Sequence, residues 1–536
     1  MLRVDNISVP LQYTERELTQ KTAKLLRVSP NAIRSLRLNR RAIDSRGEVH
    51  YVLSVLVSVE GEERILRRNR DKNVSSAEKL RYAPPMLSTP PALPPVVVGA
   101  GPAGLFAALL LAEAGAKPIL LERGRKVEQR QADVQRFFET GVLDPASNVQ
   151  FGEGGAGAFS DGKLNTGTKD PRHSYILHRL VDFGAPEDIL YDAKPHVGTD
   201  KLHSALIAMR RYLIDHGADI RFSSQLTDIV VKDGAISAIS VTTPEGSYTL
   251  PCEQLILAPG HSARDTFAML HEKGLSMEPK AFAVGVRIEH KQSEMDAQQY
   301  REAAGNPALP ASSYKLSCHL ANGRGVFSFC VCPGGEVVAA ASEEGRLVTN
   351  GMSEFARDKE NINGGLLVSV KPEDFGAEGP LAGIAFQRKL EEDAFLAGGG
   401  GYAAPAQLVG DFLAGKPSAA AGHITPSYRP RVHFTDLRTC LPPFIADSLR
   451  EALPLLDEKL PGFAAKDAVL TAVESRSSSP VRILRDETGV SSVQGLYPTG
   501  EGAGYAGGIL SAAADGMRQA EALLSNYYTE KEKPHD

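Results

Sequence analysis

Tryptophan is absent from this chain, and cysteine occurs only five times in 536 residues. So few thiols, odd in number, argue against a disulfide framework and for a reducing, cytoplasmic setting. No run of eighteen apolar residues occurs, so no membrane span is expected. The opening "MLRVDNISVPLQYTE" lacks the charged-then-apolar layout of a secretory signal. HExxH, paired-cysteine and GxSxG patterns are also missing, which leaves metal and acyl-transfer chemistry unsupported and no metal site expected. Charge of one sign does not dominate, the net value being −5. The first 85 residues nevertheless hold about seventeen Lys and Arg against ten Asp and Glu. Without interleaved aromatics or a nucleic-acid motif, that excess reads as a solvated basic face, and a nucleic-acid partner is disfavoured.

What the chain has in abundance is glycine, 50 residues of it, and its placement organises the reading. Residues 1–82 show strand, helix, strand, strand signals, with Thr14 as a helix cap, and form a small α+β module. Residues 83–95 are a proline-rich linker, "PPMLSTPPALPP", which suits neither helix nor central strand. Strand and helix alternate over 96–264, and the segment 218–260 reads as a meander closed by a buried strand. Residues 265–490 carry further strands, "AFAVGVRIEH", "GVFSFCVCPGG" and "GGLLVSV", broken by helices. They are expected to form an inserted α+β substrate or cap domain. In that stretch "FLAGGGGYAAP" reads as a loose loop without flanking elements. Strand, glycine and helix return over 491–525, before a charged tail at 526–536.

"VVVGAGPAG" followed by "LFAALLLAEAG" and "PILLE" has the order a dinucleotide fold requires. Gly99 makes the tight turn, Gly101 admits the pyrophosphate, and Gly104 lets helix and strand pack closely. The helix N-terminus offers free amides to phosphate. Glu122 ends the second strand, where a carboxylate accepts hydrogen bonds from ribose hydroxyls and repels a 2′-phosphate. The fingerprint alone does not separate FAD from NAD.

"GLYPTGEGAGYAGGILSAAADGMRQAEAL" resembles the C-terminal flavin motif of glutathione-reductase-type FAD proteins. By that resemblance Glu501 contacts the pyrophosphate or ribityl chain, and the helix starting near Gly508 points its amides at the carbonyl–nitrogen edge of the flavin. "LILAPGHSA" is similar to a further strand of that superfamily, with Pro259 where threonine is usual. Together with "AKPHVGTDKL", "FAVGVRIEH", "CVCPGGEVV" and "ESRSSSPVRI", these segments resemble a family of uncharacterised bacterial FAD-dependent dehydrogenases or oxidoreductases. The resemblance implies an α/β, Rossmann-like FAD-binding domain of glutathione-reductase type and non-covalent FAD. The implied activity is hydride transfer between the flavin and an unidentified small molecule. NAD(P)H docking transiently over the flavin is an alternative, as is a flavin-binding sensor or RNA-associated protein without turnover. The implied FAD-binding set also takes in Pro102, Ala103, Arg123, Arg130, Leu226, Gly260, Gly500, Gly507 and Ile509.

A second glycine-rich stretch, "FGEGGAGAFSDGKLN", has neither the apolar strand before it nor the apolar helix after it that a second fingerprint needs. Related flavoproteins pass a loop beside the flavin here, which implies that Gly154, Gly155, Gly157, Ser160 and Gly162 border the cofactor. Lys163 and Asn165 then face the ring, or Lys163 lies on the surface. Arg476 belongs either to an anionic-substrate pocket or to a set of salt bridges. Cys330 and Cys332, two apart in a strand, share one face. They are either core residues or a redox element beside the flavin. Lys163, Arg476 and Cys330 are the candidate catalytic residues.

Overall fold

The computed structural model describes residues 1–77 and 82–527. Residues 78–81 of the first module and 528–536 of the charged tail lie outside the described residues. Strands Leu2–Val9, Ile33–Asp44, His50–Val59 and Val74–Ser76 make a four-stranded sheet, covered by helix Glu15–Leu26. Thr14 caps that helix through a reciprocal capping box with Glu17, which satisfies two otherwise orphaned amides. The module has its own apolar core around Leu2, Val4, Leu18, Leu53, Val55 and Val57. Arg41 docks it onto the next part of the chain, donating to Asp192 at 2.7 Å. The proline-rich segment that follows carries no regular element. It is held at its start by Tyr82, whose hydroxyl donates to Glu521 at 2.5 Å.

Five short parallel strands form the central sheet, in the order 496–498, 255–257, 96–98, 119–121, 219–221. The fold is mixed α/β. Val96, Val97 and Val98 are all buried, as expected for a parallel strand covered on both faces. Helix Pro102–Glu113 is buried along almost its whole circumference, because it lies between the sheet and helix Ile509–Leu524. The two helices cross closely: a Cβ at Gly516 would stand 2.0 Å from the carbonyl oxygen of Ala103. The first and last nucleotide-type motifs are thereby fastened together although some four hundred residues separate them. The meander is a separate three-stranded antiparallel sheet of Gln225–Lys232, Ala235–Thr243 and Gly246–Pro251.

Between strands 255–257 and 496–498 the chain builds a seven-stranded sheet. Its order is 317–319, 325–332, 361–370, 282–291, 469–474, 404–408, 432–434. Strands Phe282–Lys291 and Asn361–Val370 at its centre are buried almost throughout. The glycine run "FLAGGGGYAAP" does have flanking elements. Helix Ala382–Ala397 ends in it and strand Ala404–Leu408 begins in it. The run is a tight helix-to-strand connection, hidden in the sequence because helix and strand borrow its outer residues.

The seven-stranded sheet is tied to the nucleotide-type sheet by buried charge. Glu391, on helix Ala382–Ala397, is fully buried and accepts paired hydrogen bonds from two arginines. Arg264 donates at 2.7 and 2.8 Å, and Arg476 at 2.9 and 2.8 Å. Burial alone would raise this carboxyl, but the two guanidiniums hold it well below the usual carboxylate range. Removing one partner of such a cluster strands the others without compensation. Glu391→Ala should therefore lose about 3–5 kcal/mol of stability in chemical denaturation. A loss within experimental error would mean that the junction is held by apolar packing instead.

Candidate functional site

One cleft of about 1610 Å³, counted out to its open mouth, runs between the two sheets. Of the residues singled out in the sequence, Gly99, Gly101, Pro102, Ala103, Glu122, Arg123, Gly155, Gly157, Ser160, Gly162, Leu226, Pro259, Gly260, Glu501, Gly508 and Ile509 line it. Lys163, Cys330 and Arg476 line it as well. Gly104, Arg130, Gly154, Gly500 and Gly507 do not, and Asn165 points away as an exposed residue. Phe151 of the second glycine stretch, His261 of "LILAPGHSA" and Glu474 of "ESRSSSPVRI" complete the wall together with Val348 and Asn350. No local motif marks the last two, which lie at the strand Thr349–Met352, paired with Glu336–Ala339 in a two-stranded ribbon.

The cleft has the features a dinucleotide needs. Helix Pro102–Glu113 begins at its wall with extended Gly101 as cap, so free amides face inward. Helix Ile509–Leu524 begins there too, capped by Gly508 at φ 92. A Cβ at Gly508 would meet no protein atom within 4 Å. The space that a side chain would occupy there belongs to the cleft.

Glu122 has a different immediate role from the one its position suggests. Its carboxylate accepts three backbone amides, from Ala100 at 2.8 Å, Gly124 at 2.9 Å and Gly152 at 2.9 Å. It therefore pins the fingerprint loop, its own turn and the second glycine stretch to one point. Arg130 is fully buried and donates to the carbonyls of Asn148, Val149, Gly152 and Glu153. This places it behind the second glycine stretch instead of against a cofactor, and burial lowers its guanidinium to about 10. Arg123 stacks 4.3 Å above the Phe151 ring and pairs with Asp265.

The second glycine stretch packs directly on the first. The Gly154 amide donates to Ala100 at 2.8 Å, and a Cβ at Gly155 would stand 3.0 Å from the Cα of Gly101. A Cβ at Gly154 would run into Leu206 at 2.4 Å. Glycine is required at 154 and 155 by neighbouring protein atoms, while Gly155, Gly157 and Gly162 line the cleft, Gly157 against Ile509 at the start of the C-terminal helix.

Arg476 resolves as a salt-bridge residue. Besides Glu391 it donates to Ser262 at 3.0 Å and Ser342 at 2.6 Å, so its guanidinium is already occupied. At another part of the wall, buried Asp161 accepts Arg357 at 2.9 and 2.6 Å and faces Lys163 at 3.0 Å. Burial works against the Lys163 charge, but Asp161 and then the sulfurs of Cys332 and Cys330 outweigh it, raising the ammonium above its ordinary value. Glu474 adds a buried carboxylate, paired with Arg287 at 3.0 Å. Among the described residues no cluster of His, Cys, Asp and Glu could hold a metal ion, and no helix is long and apolar enough to cross a membrane.

The triple amide contact of Glu122 gives a direct test. Glu122→Gln leaves at least one buried amide facing a donor group, at about 1–3 kcal/mol each. Thermal denaturation of the FAD-free protein should show a lowered midpoint. An unchanged midpoint together with weakened FAD retention would assign Glu122 to the ligand alone.

Comparison with known proteins bears on the family and the cofactor. Residues 281–477 match the family model "FAD-dependent protein, C-terminal domain-like", residues 93–141 match an FAD binding domain, and residues 1–58 match a domain of unknown function. An uncharacterized protein of Clostridium beijerinckii is 46% identical over 98% of this chain and 99% of its own length. Among solved structures, a flavin-dependent brominase aligns at 13% identity and a TM-score of 0.36, covering 81% of this chain and 79% of its own. The FAD-complexed glycerol-3-phosphate dehydrogenase of Bacillus halodurans aligns at 10% identity and a TM-score of 0.37, covering 82% and 66%. Both scores are too low for a shared detailed architecture to follow. The chain belongs to the family of the clostridial protein, and its cofactor is FAD.

Proposed function

We propose that this protein is an FAD-dependent oxidoreductase that transfers a hydride between a small-molecule substrate and non-covalently bound FAD. In this reading the segments 96–264 and 491–525 hold the dinucleotide in a glutathione-reductase-type arrangement, and 265–490 covers its reactive face. The observation that carries the reading is one cleft joining both glycine motifs to a cluster of buried ionisable groups supplied by the seven-stranded sheet. FAD bound there supplies a hydride acceptor or donor at the central nitrogen of its ring.

The protein's own groups do the rest. The amides at the start of helix Pro102–Glu113 and those behind Gly508 face developing and fixed negative charge. Lys163, kept cationic by Asp161, favours negative charge on a reduced ring and so raises its potential. The second sheet overhangs that end of the cleft, and the lower dielectric of its buried wall strengthens these interactions. Apart from the fingerprint that follows strand Val96–Val98, the described residues offer no strand–GxGxxG–helix unit for a nicotinamide dinucleotide. In this reading the electrons come from the substrate itself, in the dehydrogenase sense, with transient NAD(P)H docking as the competing route.

Anaerobic mixing of the FAD-loaded protein with NADH, NADPH and a metabolite panel tests this, with loss of the visible flavin absorbance as the readout. Bleaching by a metabolite and not by the nicotinamides is the expected result. Bleaching by NADH or NADPH alone would make the protein a nicotinamide-dependent reductase. A flavin that no donor reduces would make it a binding protein without turnover.

A further inference from the structure

Cys330 and Cys332 end strand Gly325–Cys332, and an unbroken strand would set both thiols on one face. The pairing with strand Asn361–Val370 instead slips between Phe329 and Cys332. Cys330 adopts φ 41, a left-handed conformation that costs a non-glycine residue on the order of 1–3 kcal/mol. The slip turns Cys330 into the wall of the FAD cleft, while Cys332 stays fully buried behind it. The Cys332 thiol donates to the Cys330 carbonyl at 3.3 Å and lies 3.8 Å from the Arg287 guanidinium. That guanidinium also donates to the Cys330 carbonyl at 3.0 Å. Lys163 lines the same cleft as Cys330; its Nζ is buried and lacks a hydrogen-bond acceptor despite its ion pair with Asp161, and its charge acts on both sulfurs.

The other cysteines behave as core residues. Burial pushes the Cys252 and Cys440 thiols up to about 12. The Cys330 thiol moves the opposite way, lowered first by the neighbouring Cys332 thiol and then, against burial, by Lys163 and Arg287. Cys332 is held well above the usual thiol range by Cys330 and by burial. A nucleophilic sulfur beside one that keeps its proton is the asymmetry of a working thiol pair. Core packing explains neither the strained backbone nor the exposure of one sulfur to the cleft.

We propose that Cys330 and Cys332 are a redox pair that exchanges two electrons with the bound FAD. The proposal rests on the reading that the reactive end of the flavin lies under the seven-stranded sheet. When the pair closes, the Cys330 thiolate and the Cys332 thiol form an S–S bond and the Cys332 S–H bond breaks. Two electrons and that proton pass to the flavin ring. In the reverse direction two electrons return, the S–S bond opens, Cys332 takes back the proton, and Lys163 and Arg287 stabilise the thiolate. An unbroken extended strand would set such residues about 6.7 Å apart at Cα, near the top of the range of about 4.4–6.8 Å that disulfides accept, and the register slip with left-handed Cys330 departs from that geometry. A bridge there belongs with the labile, easily reduced kind.

Anaerobic dithionite titration of air-oxidised, FAD-loaded protein reads the pair directly. The expected uptake is four electrons per FAD, two for the flavin and two for the disulfide. Thiol counting on the denatured, oxidised protein should find three free thiols in place of the five of the reduced chain. Cys330→Ser and Cys332→Ser should each halve the uptake while retaining FAD and the wild-type melting temperature. Two-electron uptake by the wild type, with five thiols still free, would overturn the pair and leave the flavin reading standing. Protein that binds no FAD, or whose flavin dithionite does not reduce, would overturn both. The wild-type counts decide the matter even where a serine variant fails to fold.

Discussion

The carboxylate of Glu391 sits where the two sheets meet, and four guanidinium hydrogen bonds converge on it. Arg264 comes from the nucleotide-type half and Arg476 from the segment that follows a strand of the second sheet. Ser475 adds a further donor at 2.7 Å. A charge this deep is tolerated only because its partners saturate it. The same saturation fixes the distance and angle at which the second sheet overhangs the cleft. Had this junction been purely apolar, sliding of one sheet over the other would cost little. With directional ion pairs it costs hydrogen bonds.

The cleft repeats this use of buried charge on a smaller scale. Glu122 gathers three amides, and Arg130 gathers four carbonyls from the opposite side of the same loop. Between them they set the backbone of residues 148–153 in a conformation that no helix or sheet ladder supports. Such irregular backbone must find partners for its polar groups; Glu122 and Arg130 supply some of them, and the Asn148 side chain accepts the Gln150 and Phe151 amides. The glycines of the loop then let it lie on Gly101 without a side chain intervening. The ionisable groups around Lys163 and Cys330 differ in kind, because part of their environment is the cleft itself.

Much of the nucleotide half was legible in the sequence. The valine strand, the apolar helix and the second strand follow local period and composition, so Gly99, Gly101 and Glu122 could be placed on the turn and strand end where they lie. The helix from Ile509 was legible for the same reason. Less accessible was what each polar side chain would touch. Arg130 looks like a cofactor ligand by its neighbourhood in the chain, and only the path of residues 148–153 around it shows that it serves the backbone. Arg476 suits two readings in the sequence, and Glu391, eighty-five residues earlier in the chain, occupies it from across the junction. The "FLAGGGGYAAP" run looks like a loose loop in the sequence because its ends belong to a helix and a strand whose cores lie outside the glycine window.

The sequence by itself determined the cofactor class and the glycine segments that meet at the cleft. Close backbone approach to a dinucleotide demands glycine at fixed spacing, and that demand is written in consecutive residues. Tertiary structure decided which charges face the cleft and which face one another, since that depends on pairs far apart in the chain. It also decided the position of Cys330. Two residues apart in a strand implies one shared face, and only the slipped register against a neighbouring strand turns one thiol outward while its partner stays in the core.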